Sequence, residues 1–115
     1  MLVRHVNKVQ ATQYEGEDSR GVAIRPLITQ GDGAPTFATR YFEIEPGGYT
    51  PRHSHSWEHE VFVISGEGTV TGPDGPKSLA PGVAVFIPGH EEHQFRNTGN
   101  APLVFTCAVP NQGQR

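Results

Sequence analysis

The sequence predicts an all-β domain of the sandwich or barrel type, and three observations carry that prediction. Fourteen glycines and ten prolines are scattered without a repeat period, as in chains built from many short elements joined by tight turns. No segment carries a sustained apolar repeat of 3.6 residues. Instead, short runs of β-branched and aromatic residues alternate with turn-forming dipeptides. At 115 residues the chain is long enough for one domain and too short for two, so residues 1–115 are read as a single domain. With 35% hydrophobic and 18% charged residues, it is not of the composition that charge repulsion keeps unfolded.

Residues 1–21 have mixed polarity and no period, and are read as an N-terminal arm. The barrel proper is expected over about 22–110. Val22–Ile28 is its first strand, and Gly31-Asp32-Gly33-Ala34-Pro35 is a loop by composition. Thr36–Ile44 is rich in aromatic and β-branched residues and reads as a strand ended by Pro46-Gly47-Gly48. Tyr49–His55 is extended because Pro51 disfavours a helix. Glu60–Ile64 is a strand broken by Ser65-Gly66. Gly68–Thr71 and Lys77–Leu79 flank Gly72-Pro73-Asp74-Gly75-Pro76, whose Asp-Gly pair signals a hairpin. After the Pro81-Gly82 turn, Val83–Ile87 is a strand stopped by Pro88-Gly89. His93–Asn97 and Leu103–Val109 follow, with a turn at Gly99-Asn100 between them. The tail at 111–115 is polar and is expected to be mobile. About eight to ten short strands of this kind form a sandwich or barrel.

The formal net charge is −3 with no block of Lys or Arg, which argues against a nucleic-acid partner. No apolar run approaches the roughly 20 residues that span a bilayer, so no membrane is expected as a partner. Met1-Leu2-Val3-Arg4-His5 does not open a signal peptide, and a cytoplasmic location is the expectation. One cysteine, Cys107, excludes an intramolecular disulfide framework and any multi-cysteine zinc site.

A metal would therefore have to be held by histidine or carboxylate, and the chain has six histidines. Three fall within His53-Ser54-His55-Ser56-Trp57-Glu58-His59, and His93 lies two strands downstream. On extended chain His53 and His55 point to one face, since side chains alternate with period two. They can chelate one ion, His59 can close in after a bend, and His93 can come from an adjoining strand. Neutral imidazoles suit a divalent first-row metal (Mn, Fe, Co, Ni, Cu or Zn) and not Ca or Mg, which prefer oxygen. A lone His-x-His pair is more often a surface feature, whereas three clustered histidines with a fourth in suitable context read as ligands. His90-Glu91-Glu92-His93 lacks the spacing for two ligands on a helix. Ser54 and Ser56 make no nucleophile, because a metal-bound histidine cannot readily act as their base.

In these residues the sequence resembles the cupins. Their first motif runs G-x5-H-x-H-x3-4-E-x6-G, and Gly47, His53 and His55 match its front half. Their second runs G-x5-P-x-G-x2-H-x3-N, matched in register by Gly82, Pro88, His93 and Asn97, although His90 stands where the motif has glycine. The likeness spans about residues 36–109. His59 occupies the usual glutamate position, and Glu60 is reachable only with the longer spacer. Strand parity favours His59, which shares a face with Val61 and Val63, while Glu60 lies on the other with Phe62.

The run resembles small single-domain cupins with four histidine ligands, some of which hold manganese. That likeness implies a double-stranded β-helix of jelly-roll type, a homodimer, and metal ligands His53, His55, His59 and His93. Manganese is the first metal to expect. It also implies that the strand faces bearing Arg40 and Phe42, Phe95, and Phe105 and Cys107 turn inward. The pocket would then be mostly apolar, walled by Phe42, Phe95 and Phe105, with Arg40 anchoring a carboxylate or enolate and Cys107 near the metal. Trp57 is assigned to packing or a dimer contact.

Four neutral ligands would leave a divalent ion its full charge and up to two open positions. The leading expectation is a metal-dependent oxygenase or oxidase acting on a small organic substrate. The alternatives are a non-catalytic ligand-binding module and a metal-dependent isomerase or lyase, which would work without oxygen.

Overall fold

The computed structural model describes residues 1–14, 16 and 18–113. They form nine strands: β1 (Thr12–Tyr14), β2 (Arg20–Ile28), β3 (Phe37–Tyr49), β4 (His59–Ser65), β5 (Gly68–Gly72), β6 (Gly75–Leu79), β7 (Ala84–Ile87), β8 (Gln94–Asn97) and β9 (Leu103–Pro110). Three 3-10 turns accompany them, at Val6–Lys8, Gln30–Asp32 and Asn111–Gly113. All pairings are antiparallel, in the order β6-β5-β8-β3-β9-β4-β7, with β2 also on β3 and β1 on β2. The sheet curls around one core in the jelly-roll manner of a small β-barrel. No described helix is long and apolar enough to cross a membrane.

Alternation explains which face is inside. In β4, His59, Val61 and Val63 are buried while Glu60, Phe62 and Ile64 are exposed. In β9, Leu103, Phe105, Cys107 and Val109 are buried. Register then places specific side chains together. Arg40 pairs with Cys107 and Phe42 with Phe105 across β3 and β9, and Cys107 pairs with Val61 across β9 and β4. The Phe42 and Phe105 rings stack 5.0 Å apart, and Phe95 stacks on Phe105 at 4.7 Å. Such ring pairs add about 0.5–1.5 kcal/mol each beyond their buried area.

Several sequence expectations are corrected. Pro46-Gly47-Gly48 does not end its strand. Gly47, at φ 79°, bends β3 so that its first part pairs with β9 and its end, at Tyr49, with β8. At Gly48 a Cβ would come within 2.6 Å of the Arg20 carbonyl, so β2 approaches too closely for a side chain. The arm at 1–21 carries a strand the sequence did not show, β1, whose three residues are all exposed and offer no apolar alternation. It also makes fixed contacts: Arg4 pairs with Asp32 at 3.1 Å, holding that carboxyl down at about 2, and donates to the Leu27 carbonyl at 2.7 Å. Within the tail, the Asn111 amide nitrogen donates to Thr36 and its side chain to Ala34, tying its start to the barrel. Residues 114 and 115 lie outside the described residues, as do 15 and 17 of the arm. Val83 and His93 fall just outside their strands, and Thr36 just before its own.

The expected hairpin is present, with Gly72 opposite Gly75 around Pro73-Asp74 and Gly75 at φ 93°. The second motif's opening glycine, Gly82, sits at φ 90°. His90, where the motif has glycine, is the one described non-glycine residue with positive φ, at 68°. The motif glycine thus answers a left-handed backbone that a Cβ residue adopts at a cost. His90 holds that turn while its amide nitrogen donates to the His55 carbonyl at 2.6 Å.

Candidate metal centre

The histidine-bearing loop and the strand opposite it are tied by main-chain hydrogen bonds. His53 and His93 face each other in an isolated antiparallel bridge, each amide donating to the other's carbonyl at 3.2 and 2.9 Å. Three residues earlier, the buried Thr50 hydroxyl accepts from the Phe95 amide at 2.9 Å, and Gln94 donates to the Thr50 carbonyl at 3.0 Å. This lacing fixes His53 and His93 on neighbouring backbones. His55 follows on the same face as His53, and His59 opens β4 on its inner face.

The rings converge. One nitrogen from each of His53, His55 and His93 lies within 4.8 Å of the others. Ring centroids are 5.0 Å apart for His53 and His93 and 5.1 Å for His55 and His93. His59 borders this group, with its centroid 4.6 Å from His55 and 5.1 Å from His93, and its Nε2 2.8 Å from His55 Nε2. Two imidazole nitrogens bound at right angles to one ion, each at about 2.0–2.1 Å, would stand about 3 Å apart. The His55–His59 separation is of that size.

The outward nitrogens set the tautomers. His55 Nδ1 donates to the Trp57 carbonyl at 3.1 Å, and His93 Nδ1 donates to the Glu91 carbonyl at 2.9 Å. A carbonyl can only accept, so each Nδ1 carries the proton and each Nε2 turns its lone pair to the cluster. His59 Nδ1 instead lies 2.8 Å from Cys107 Sγ. Burial disfavours charge on three of the rings. It holds His53 and His55 below the ordinary histidine value and His59 down to about 3, with the neighbouring rings acting in the same direction. Neutral imidazoles with free lone pairs fit a transition-metal ion; on chemistry and on spacing the residues suit one. Burial also raises the Cys107 thiol.

The cluster borders a cavity of about 340 Å³, within the range of small-molecule sites. The resemblance placed Arg40, Phe42, Phe95, Phe105 and Cys107 there, and all five line it. Glu60 does not: it is exposed on the outer face of β4. Sequence reading missed Tyr14, Val22, Ile24 and Thr50, which also line the wall. It also underused Trp57. That ring packs against the core, as expected, but it stacks on His55 at 4.3 Å with 6° between planes and faces the cavity. Its nearness to His55 in sequence was visible, but the chain bends at Ser56-Trp57, so strand parity does not report the stacking.

Fold and site together define a small antiparallel β-barrel with a knot of imidazoles beside an apolar cavity. The family model described as the cupin domain (Cupin_2) matches residues 40–109, and the chain belongs to the cupin family. It is 33% identical over 99 residues to 1-methylthio-D-xylulose 5-phosphate methylsulfurylase of Rhodospirillum rubrum, covering 86% of this chain and 63% of that protein. It is 36% identical over 90 residues to protein SchB of Streptomyces halstedii, covering 75% and 65%. The chain thus spans a little under two thirds of the length of both relatives. Among solved structures, the polyketide cyclase RemF of Streptomyces resistomycificus superimposes with a TM-score of 0.90 at 34% identity, over 96% of this chain and 80% of that one.

Proposed function

We propose that this cupin is a metal-dependent enzyme acting on a small, flat, enolisable carbonyl compound, in ring closure or isomerisation. Its four ligands are His53, His55, His59 and His93, and manganese is the first metal to test, with iron, nickel, copper, cobalt and zinc after it. The observation that carries the reading is the pair of Nδ1–H to carbonyl tethers at His55 and His93, which aim Nε2 atoms at one point beside an apolar cavity. A bound divalent ion would supply Lewis acidity toward a carbonyl or enolate oxygen.

The chain's own groups do the rest. His59 joins the set when its Nδ1–H points to Cys107 Sγ, which frees Nε2 toward His55. The stacked rings of Phe42, Phe95 and Phe105 keep water from one side of the substrate and hold a planar molecule against them. Arg40 orients it from the same wall. The reaction class is supported by the likeness to RemF, whose name describes a polyketide cyclase. The oxygenase or oxidase expected from the sequence is the second reading, favoured because a divalent ion held by four histidines beside the cavity would keep positions open for oxygen.

The test uses an aryl β-keto ester and manganese-loaded protein under argon and under air, with products followed by mass spectrometry and oxygen by electrode. Metal-dependent conversion under argon, lost in His59→Ala and after chelation, is expected. Conversion that requires oxygen uptake selects the second reading. Binding without conversion in either atmosphere marks a ligand-binding module and overturns both.

A further inference from the structure

The cavity has a cation but no anion. Among the described residues that line it there is no aspartate or glutamate, and Arg40 is its one arginine or lysine. The described ion pairs of the chain employ Arg4, Arg25 and Arg52, and none includes Arg40. Its guanidinium carbon lies 5.1 Å from the Phe42 ring centroid, and one terminal nitrogen is 3.8 Å from Cys107 Sγ, a weak acceptor. Its Nε is buried and has no hydrogen-bond partner. That Nε is closed off from the cavity, but a guanidinium held against apolar walls with a thiol sulfur as the described acceptor of its terminal nitrogen is costly unless an anion completes it, and the low local dielectric strengthens that demand.

Register fixes where such an anion would lie. Arg40 is opposite Cys107, and Cys107 in turn touches His59. The guanidinium is therefore one thiol and one imidazole away from the histidine cluster, on the wall that Phe42 and Phe105 pave.

We infer that the natural ligand of this cavity is a flat organic anion, whose carboxylate or enolate oxygens bind the Arg40 guanidinium while its ring system lies on the Phe42–Phe105–Phe95 stack. This rests on the proposed reading of the cavity as a substrate site. It goes further, in making negative charge the selected feature and Arg40 the residue that selects it. The guanidinium fork matches a carboxylate in two parallel hydrogen bonds, which a neutral amide of the same shape cannot replace.

The probes are 2-naphthoate and 2-naphthamide, titrated calorimetrically into wild type, Arg40→Met and Arg40→Lys, each manganese-loaded and chelator-stripped, with metal content and thermal melts recorded. In both metal states wild type should prefer naphthoate by at least about tenfold, the size of a charge-assisted contact in a dry site. Arg40→Met should bring the two probes within about twofold of each other, and Arg40→Lys should retain part of the preference. Equal binding of the probes to wild type, absence of naphthoate binding at millimolar concentration, or a preference that survives in folded Arg40→Met overturns the inference. A preference seen only with manganese and untouched by Arg40→Met places the anion on the ion. That result contradicts the inference and leaves the metal reading intact. An Arg40-dependent preference in protein that takes up no metal does the reverse.

Discussion

Replacing Asn97 by alanine should cost this domain about 3 kcal/mol, because one buried side chain makes three hydrogen bonds to main-chain groups. Asn97 is 3% exposed. Its Nδ2 donates to the Ile44 carbonyl at 2.8 Å and to the Ala101 carbonyl at 2.9 Å, while its Oδ1 accepts from the Gly99 amide at 2.9 Å. It thereby fastens the β8–β9 turn to the bend of β3, the element that carries the chain from one side of the barrel to the other. Each such bond contributes about 1 kcal/mol net, and its loss leaves a partner to be rehydrated at the turn or stranded at Ile44. Three of them amount to a large part of the roughly 5–15 kcal/mol that holds a domain folded. For a chain of this size the melting temperature should fall by about 10–15 °C. Asn97→Asp is the sharper variant. A carboxylate keeps the acceptor for Gly99 but presents two carbonyls with an anion, so it should be at least as damaging as alanine. Urea titrations of the three proteins at neutral pH measure both losses. A cost below about 1 kcal/mol for alanine, or near-wild-type stability for aspartate, would refute the assignment of the two donated bonds.

Three other outcomes follow from the same geometry. His90→Gly removes an exposed side chain from a backbone at φ 68° and should raise stability by up to about 1 kcal/mol, the left-handed penalty less the added freedom of the unfolded chain; a lower urea midpoint would contradict it. The metal-free protein should weaken on acidification. As pH falls below about 6.5 the unfolded chain takes up protons at His53, His55 and His59, while folded His59 stays neutral until about 3. Stability present at neutral pH is therefore lost through that window, by at most about 1.4 kcal/mol per pH unit for each group, and an unchanged urea midpoint between pH 7.5 and 5 would refute it. Cys107→Ala takes away the acceptor beside His59 Nδ1 and should weaken manganese binding by about tenfold or more, whereas Cys107→Ser keeps an acceptor and should largely preserve it; equal affinities would sink that role.

Much of the barrel is legible in the sequence because its signals are local. Period-two alternation in Glu60–Ile64 and Leu103–Val109 separates inner from outer faces, and the structure buries the inner members, with Val104 buried as well at the start of the last strand. The His53/His55 pair rests on that parity, which also supports the choice, made from the motif likeness, of His59 over Glu60 as the cavity-facing residue. What escaped depends on contacts distant in sequence. β1 is recruited by pairing with β2 and has no apolar pattern of its own. Pro46-Gly47-Gly48 reads locally as a stop, and only the close approach of Arg20 turns it into a bend within a continuing strand. The contact of His59 with Cys107 spans 48 residues, and no spacing rule reports it. His90 shows the converse: the departure from the motif is plain in the sequence, but its positive φ needs the folded chain.

The proposed chemistry needs a single cation held by four rings. Anomalous diffraction from crystals of the protein grown with manganese, recorded above and below the manganese absorption edge, tests it directly. One edge-dependent peak at bonding distance from the Nε2 atoms of His53, His55, His59 and His93 is the predicted result. No peak among those rings, or a peak with His59 turned away from it, would contradict the account.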